Sequence, residues 1–479
     1  MKNSRNSKFI TDIFIYGFGN LGSKMITFLL IPLYTYYIKP EEYGYYDITL
    51  NIIFLMIPFV TLQLRDGVFR FLLDTDDDNI RINIITFTYK FLLQTSLIVL
   101  LIAVITPCFI SIPYIGWIAF TLIFMSFYEV EMQIVRGTDN NKYFVIASIM
   151  TAFSTAGGSV LCVVVFNMGI AGIFCASILA RTISIIIIEQ KLHLFKKYFY
   201  YNFKNKELNR SLINYSLPLL PNIVCCWLIS SSNRFYIEHF LGLEENGIYA
   251  VAAKFTCILE NFTVIIYQAW QETAIKQYKS TDKNNYFSKI LNTYILVLSL
   301  MAIFLVFILK MNYSWLVSPK YLKSVAYLYP LSISVIFYAL ASFLDMGYQC
   351  YKQTVKTLPS ITMTALLNML LNYLFIKEIG IYGIIYSSIV SYMFLFIYRL
   401  FDTRKYFVIH LSLKTAYPIF LLLTGSLIYY NTSSIIIQSL YLVIIIIFSY
   451  LFLEYSIKNE IRKQCKLYLH FSLLKNYIK

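Results

Sequence analysis

Predominantly apolar runs long enough to cross a bilayer recur from one end of this chain to the other; Leu97–Ile112 and Leu440–Leu453 are two of many. A water-soluble fold has no interior large enough to hide them all. A bilayer requires about 20 such residues per crossing helix. Backbone groups in hydrocarbon find no water, so a spanning segment must satisfy them internally, as a helix does. Over 479 residues the chain is 58% hydrophobic and 18% aromatic, with a mean hydropathy of +0.65. The sequence therefore predicts an all-α, polytopic membrane protein.

Segmentation gives fourteen spans, at 10–38, 45–69, 84–110, 113–135, 143–166, 169–189, 212–241, 247–275, 287–310, 324–349, 355–376, 379–401, 414–431 and 434–456. They group into an N-terminal six-helix bundle (1–190), a basic linker (191–211), a second six-helix bundle (212–401), and spans 13 and 14 with a basic tail (402–479). The basic N-terminus runs straight into an apolar segment too long for a signal peptide, and no small-residue cleavage site follows it. It reads as an uncleaved first span.

The formal charge of +15 raises nucleic acid as a partner, but the basic residues alternate from loop to loop and form no single patch. With the N-terminus inside, most loop lysines and arginines fall on the cytoplasmic side. That places both termini in the cytoplasm, the turns Lys39–Tyr43 and Gly242–Asn246 outside, and the tail Lys458–Lys479 against anionic membrane lipids. Eight cysteines without a C-x-x-C pair and four scattered histidines form no disulfide framework or metal site. Gly17-Phe18-Gly19-Asn20-Leu21-Gly22 has dinucleotide-loop spacing, but no strand precedes it; small residues in a membrane helix serve close packing. No cofactor is expected.

Two internal likenesses indicate a repeat. Glu41-Glu42-Tyr43-Gly44-Tyr45-Tyr46 returns as Glu244-Glu245-Asn246-Gly247-Ile248-Tyr249, and Gly169-Ile170-Ala171-Gly172-Ile173 as Gly380-Ile381-Tyr382-Gly383-Ile384. Six spans separate the copies, so each pair keeps its direction across the membrane. This is a parallel repeat of the kind alternating-access transporters use.

Polar residues inside the spans fall at helical spacing. Span 1 carries Gly17, Asn20 and Lys24; span 2 carries Asp47, Asn51, Pro58 and Arg65; span 7 carries Ser231, Arg234 and Glu238. Span 8 carries Lys254, Asn261 and Gln268, and span 10 carries Ser342, Asp345 and Gln349. A charge at the centre of a membrane helix costs about 2.5–3.5 kcal/mol on insertion scales, so each should face a partner or a wet cavity. Helix–helix hydrogen bonds and internal pairs, such as Arg234 with Glu238 one turn away, are one reading. Walls of a substrate path are the other.

Several short strings carry a family resemblance. They are Ile31-Pro32-Leu33-Tyr34, Pro40-Glu41-Glu42-Tyr43-Gly44, and Arg70-Phe71 with Asp74. In the second half they are Pro218, Pro221, Asn233-Arg234, Leu241-Gly242, and Gly247-Ile248-Tyr249 leading to Lys254. Over its whole length the chain resembles Wzx-type oligosaccharide flippases of the multidrug/oligosaccharidyl-lipid/polysaccharide (MOP) exporter superfamily, and departs from them at Asn233, where an aspartate is expected. The resemblance implies a transporter and not an enzyme. It would move an undecaprenyl-pyrophosphate-linked oligosaccharide repeat unit from the cytoplasmic to the outer face of the bacterial inner membrane, for O-antigen, lipopolysaccharide or capsule synthesis. A polysaccharide polymerase and a chain-length regulator are the implied partners.

On this reading Arg234, Lys24, Arg65 and Lys254 hold the anionic head group, Asn51, Asn261 and Gln268 serve its polar parts, and Asp47, Glu238 and Asp345 act in coupling or ion pairs. A pyrophosphate with sugars loses its hydration in about 30 Å of hydrocarbon, and a cationic, wet cavity replaces it. An inside-negative potential favours outward movement of an anion by about 2.3 kcal/mol per charge per 100 mV. The alternatives are a lipid II flippase, a multidrug extruder of the same superfamily, which needs a carboxylate-rich cavity for cations, and a membrane polymerase or glycosyltransferase, which needs a large catalytic loop. The longest outer loop, Met311–Lys323, is too short for the last.

Overall fold

A computed structural model describes residues 28–75, 77–138, 140–198, 205–412 and 415–452. Lys24, the Gly17–Gly22 run, the start of span 1 and the basic tail lie outside the described residues. Every regular element among the described residues is helical. In order they are α1 (Phe28–Tyr37), α2 (Pro40–Thr61), α3 (Leu64–Leu73), α4 (Asp78–Ile105), α5 (Ile115–Gly137), α6 (Asn141–Ser159), α7 (Gly169–Leu192), α8 (Leu194–Tyr198), α9 (Lys206–Ser216), α10 (Leu220–Leu241) and α11 (Leu243–Gln277). There follow α12 (Lys283–Leu316), α13 (Val325–Cys350), α14 (Leu358–Ile379), α15 (Ile381–Asp402), α16 (Ala416–Asn431) and α17 (Ile435–Phe452). Ten of the described helices are long and apolar enough to cross a membrane. The expected class, an all-α polytopic membrane protein, is the observed one.

The chain forms two compact units. The first takes in the described residues up to Val251, with Val317–Tyr321 returning to it. Its centre is α5, which packs on α2, α3, α4, α6 and α7, while α10 packs on α2 and α9 on α3. Leu64, Val68, Ile85, Leu92, Ile134 and Leu212 form its buried apolar core. The returning segment is bolted down by Tyr321, whose hydroxyl donates to the Ile38 carbonyl at 3.0 Å. The second unit holds Ala252–Leu316 and the described residues from Leu322 onward. There α15 packs on α13 and α14, and α12 packs on α13, α16 and α17. Trp270 anchors its core, stacked on Phe343 at 4.2 Å and edge-on to Phe287 at 4.8 Å.

Three local outcomes differ from the segmentation. The two acidic repeats are the first turns of α2 and α11, so the connections before them shrink to Ile38–Lys39 and Gly242. Pro40 at the start of α2 gives up an N–H that a helix start leaves unpaired anyway. The carboxylates of Glu41, Glu42, Glu244 and Glu245 favour the positive helix end. Gly242, at φ +92°, turns the chain between α10 and α11, a conformation other residues resist.

Span 2 is two helices. α2 carries Pro58 near its end and stops at Leu62 and Gln63, which take the left-handed conformation (φ 46° and 55°) before α3 starts. Arg65 is thereby lifted off the face that carries Asp47 and Asn51. Span 7 is likewise α9, a 3-10 turn Leu217–Leu219 and α10, with Pro218 and Pro221 at the break. Proline removes a donor and disfavours helix in the residue before it.

Candidate functional site

The two copies of the acidic repeat meet. Gly44 and Gly247 lie so close that a Cβ on Gly44 would stand 2.0 Å from the Leu243 carbonyl oxygen, and one on Gly247 1.9 Å from that of Pro40. The Asn246 amide donates to the Gly44 carbonyl at 3.0 Å. One turn along α2 the Arg234 guanidinium of α10 meets the Asp47 carboxylate at 2.5 Å. Asp47 is 2% exposed and Arg234 15%, and the guanidinium also sits over the Tyr249 ring, 5.9 Å from its centroid. A further turn on, Asn51 accepts from the Ser231 hydroxyl at 2.9 Å and, through its backbone carbonyl, from the Trp227 indole at 2.8 Å. Its side-chain amide donates back to the Asp47 carbonyl at 2.7 Å. The result is a polar seam within the first unit, from Gly44 to Asn51 on one side and Gly247 to Trp227 on the other.

The partner of Arg234 is therefore Asp47 on another helix and not Glu238, which is exposed. A one-turn separation only permits a pair. Asp47 is the more buried carboxylate, and its charge has more to gain from a guanidinium because less water competes. Asn233, where the family resemblance leads one to expect aspartate, is buried beside the Tyr249 hydroxyl at 3.5 Å.

Arg65 on α3 pairs with Glu129 of α5 at 3.0 Å and lies 3.5 Å from Asp66. Arg181 stands midway along α7. Its Nη1 donates to the Ser177 carbonyl at 2.9 Å and the Ser177 hydroxyl at 2.7 Å. No carboxylate lies within ion-pair distance of it among the described residues, and its buried Nε has no acceptor there. Arg234 and Arg65 already hold carboxylates; Arg181 keeps donors to spare.

In the second unit Asp345 lies 3.5 Å from Arg399, itself 4% exposed, and accepts from Gln349 at 2.9 Å. Gln349 also contacts the Tyr267 hydroxyl at 2.7 Å and receives the Gln271 amide at 2.8 Å. Arg399 donates to the Ala341 carbonyl at 3.0 Å. Asp345 is thus one member of a buried network that braces α13 against α11 and α15. Lys254, Asn261 and Gln268 are half-buried along α11 in this unit. Lys254 has no polar partner among the described residues, while Asn261 and Gln268 both have partners.

Glu129, Arg181 and Arg399 are absent from the sequence-based candidates. Those candidates are polar residues spaced along one helix face, and a lone charge such as Arg181, set in Cys175-Ala176-Ser177-Ile178-Leu179-Ala180-Arg181-Thr182-Ile183, makes no stripe. The usable signal was the cost of that single charge in a span. Arg399 sits at the end of α15 just before Asp402, Arg404 and Lys405, and reads in sequence as part of a basic loop.

Membrane-length helices threaded by buried arginines, carboxylates and amides, where plain anchors would be apolar, define a polytopic membrane protein with a polar interior. Residues 9–271 match the family model described as polysaccharide biosynthesis protein, more than half of the chain, and the chain belongs to that family. No curated protein sequence matches it. Among solved structures it is similar to the lipid II flippase MurJ in an inward closed conformation, with a TM-score of 0.71 and 14% identity, over 92% of this chain and 98% of that one. It is also similar to a multidrug resistance MATE family transporter of the MOP superfamily. The inward-facing form gives a TM-score of 0.62 at 12% identity, over 80% of this chain and 95% of that one. The outward-facing form gives 0.59 at 12%, over 84% and 95%. The chain thus shares the fold of these transporters.

Proposed function

We propose that this protein is a Wzx-type flippase that carries an undecaprenyl-pyrophosphate-linked oligosaccharide from the cytoplasmic to the outer face of the bacterial inner membrane, by alternating access. The observation that carries this reading is Arg181, an arginine in mid-span with no carboxylate in reach among the described residues. A guanidinium at that depth with no carboxylate at ion-pair distance is costly unless an anion visits it. Its planar fork suits phosphate oxygens two at a time and stays charged at any physiological pH. A cation-exporting site would present the opposite sign. Membership of the polysaccharide biosynthesis family supports a glycan-linked anion as that visitor.

Arg181 makes the first head-group contact. Arg65 and Arg234, in the same unit, are further cations, exchanging carboxylate for phosphate, and Asn51 serves sugar hydroxyls. The number of standing ion pairs keeps net attraction moderate, so that the substrate can leave. The decisive experiment reconstitutes the protein into vesicles with lipid-linked oligosaccharide and measures how much becomes accessible from the far leaflet. Transfer is expected with the wild type. Arg181→Ala is expected to lose at least about tenfold in rate, equivalent to about 1.4 kcal/mol, at normal abundance; Arg181→Lys retains part. Transfer of lipid II with none of the oligosaccharide would move the assignment to a lipid II flippase.

The orientation has its own test. The starts of α2 and α11 are expected on the outer side, and Glu41 and Glu244 are exposed there. Cysteines at these two positions in a cysteine-free background should react with an impermeant maleimide in intact cells. Reaction only after the inner membrane is opened would invert the topology.

A further inference from the structure

One buried carboxyl has no place in the polar seam or beside Arg181. Glu131 on α5 is 3% exposed. No hydrogen bond or ion pair reaches it among the described residues, so nothing offsets a negative charge there. It lines a cavity of about 390 Å³ walled by Phe124, Phe127, Ile185 and Phe195, with Glu189 of α7 lining the same space. Glu189 is differently placed: its two carboxylate oxygens accept the backbone N–H groups of Phe195 and Lys196 at 2.7 and 2.9 Å. Those bonds tie α8 to the end of α7. Two negative charges sharing one apolar cavity are unfavourable, and burying an unpaired charge is worse.

The other charged groups on helices packed against α5 are engaged or turned away. Arg65 on α3 holds Glu129, Arg70 holds Asp74 at 3.0 Å, Asp66 accepts from Gln63 at 2.6 Å, and Asp47 on α2 holds Arg234. Arg181 on α7 is bound to Ser177, and Lys142 on α6 is exposed. On α4, Arg81 donates to the Thr75 carbonyl, and of Tyr89 and Lys90 only Tyr89 lines the cavity. Among the described residues no cation lines this space.

We propose that Glu131 is a proton-binding site: its carboxyl carries a proton that lets it share the cavity with the Glu189 carboxyl, and it exchanges that proton through the cavity. This rests in part on the transport reading above, because the use of such a site in a transporter is to couple a proton to the conformational cycle. Loss of the proton would set the Glu131 charge against Glu189, and so against the hydrogen bonds that hold α8.

The test uses the full-length protein in nanodiscs and needs no transport. A hydrophobic carbodiimide reacts with a carboxylic acid and not with a carboxylate: the acid O–H adds across one C=N bond, the proton going to nitrogen and the oxygen to carbon, and the adduct rearranges to a stable N-acylurea. Peptide mass spectrometry should find the label on Glu131, declining as pH rises. In Glu189→Gln, with the neighbouring charge gone, labelling should decline at lower pH than in the wild type. Infrared spectra should show a protonated-carboxyl band that Glu131→Gln removes. Absence of both the label and the band would overturn the proposal. So would a label that sodium ions suppress at constant pH, which would mean that a metal cation occupies the site. Failure of oligosaccharide transfer with these results intact would count against the flippase reading alone.

Discussion

Asp47→Ala is expected to be among the most damaging single changes in this protein. It removes the carboxylate 2.5 Å from Arg234 and leaves a guanidinium only 15% exposed without its charge partner. Breaking such a pair from one side costs about 3–5 kcal/mol, most of it the penalty of an uncompensated buried charge. Thermal unfolding of the detergent-purified protein and its abundance in the membrane should both fall. Asp47→Ala combined with Arg234→Ala should recover most of that stability, because no orphan charge remains. Glu238→Ala should leave stability unchanged, since Glu238 is exposed and takes no part in the pair. The double variant also separates two roles for Arg234. If it only neutralises Asp47, glycan export returns with the stability. Under the function proposed here the double variant folds normally and stays impaired, while Arg234→Lys retains part of the activity with its charge but without the planar fork.

Gly44→Ala and Gly247→Ala should each lower stability by about 1–3 kcal/mol or more, the range for overpacking a close contact. The new methyl would meet backbone, at 2.0 Å from the Leu243 oxygen in one case and 1.9 Å from the Pro40 oxygen in the other. No side-chain rotation relieves such a contact, so the starts of α2 and α11 must part. The two changes should not add: once the first has separated the helices, the second methyl has room. Gly157→Ala in α6 is the control, because a Cβ there meets nothing within 4 Å, and alanine is the better helix former by about 0.8–1.0 kcal/mol. Unfolding midpoints of the four variants and the wild type decide the matter. An additive double variant, or a neutral Gly44→Ala, would mean that the close crossing does not exist in the membrane.

The same crossing illustrates how far the sequence could be followed. That the chain enters a membrane, that its regular structure is helical and that its acidic strings repeat all follow from composition and spacing. Hydrocarbon leaves the backbone few options, and the apolar runs must lie in it. Helix breaks were only partly legible. Pro58, Pro218 and Pro221 were in plain view, yet the apolar run continues across each break and conceals it from a hydropathy reading.

What the tertiary structure decided was partnership. Helical spacing placed Asp47 with Asn51, and Ser231 with Arg234, on common faces, but it could not say that the two faces meet, because periodicity defines a face and not its neighbour. Arg234 had a carboxylate one turn away in sequence and took another from a different helix, where burial makes the pairing stronger. Arg65 left its stripe when α2 ended at Leu62. Arg181 and Glu131, which carry the two proposals, each show in sequence as a charge inside a span, but that no opposite charge reaches them among the described residues is visible only in three dimensions.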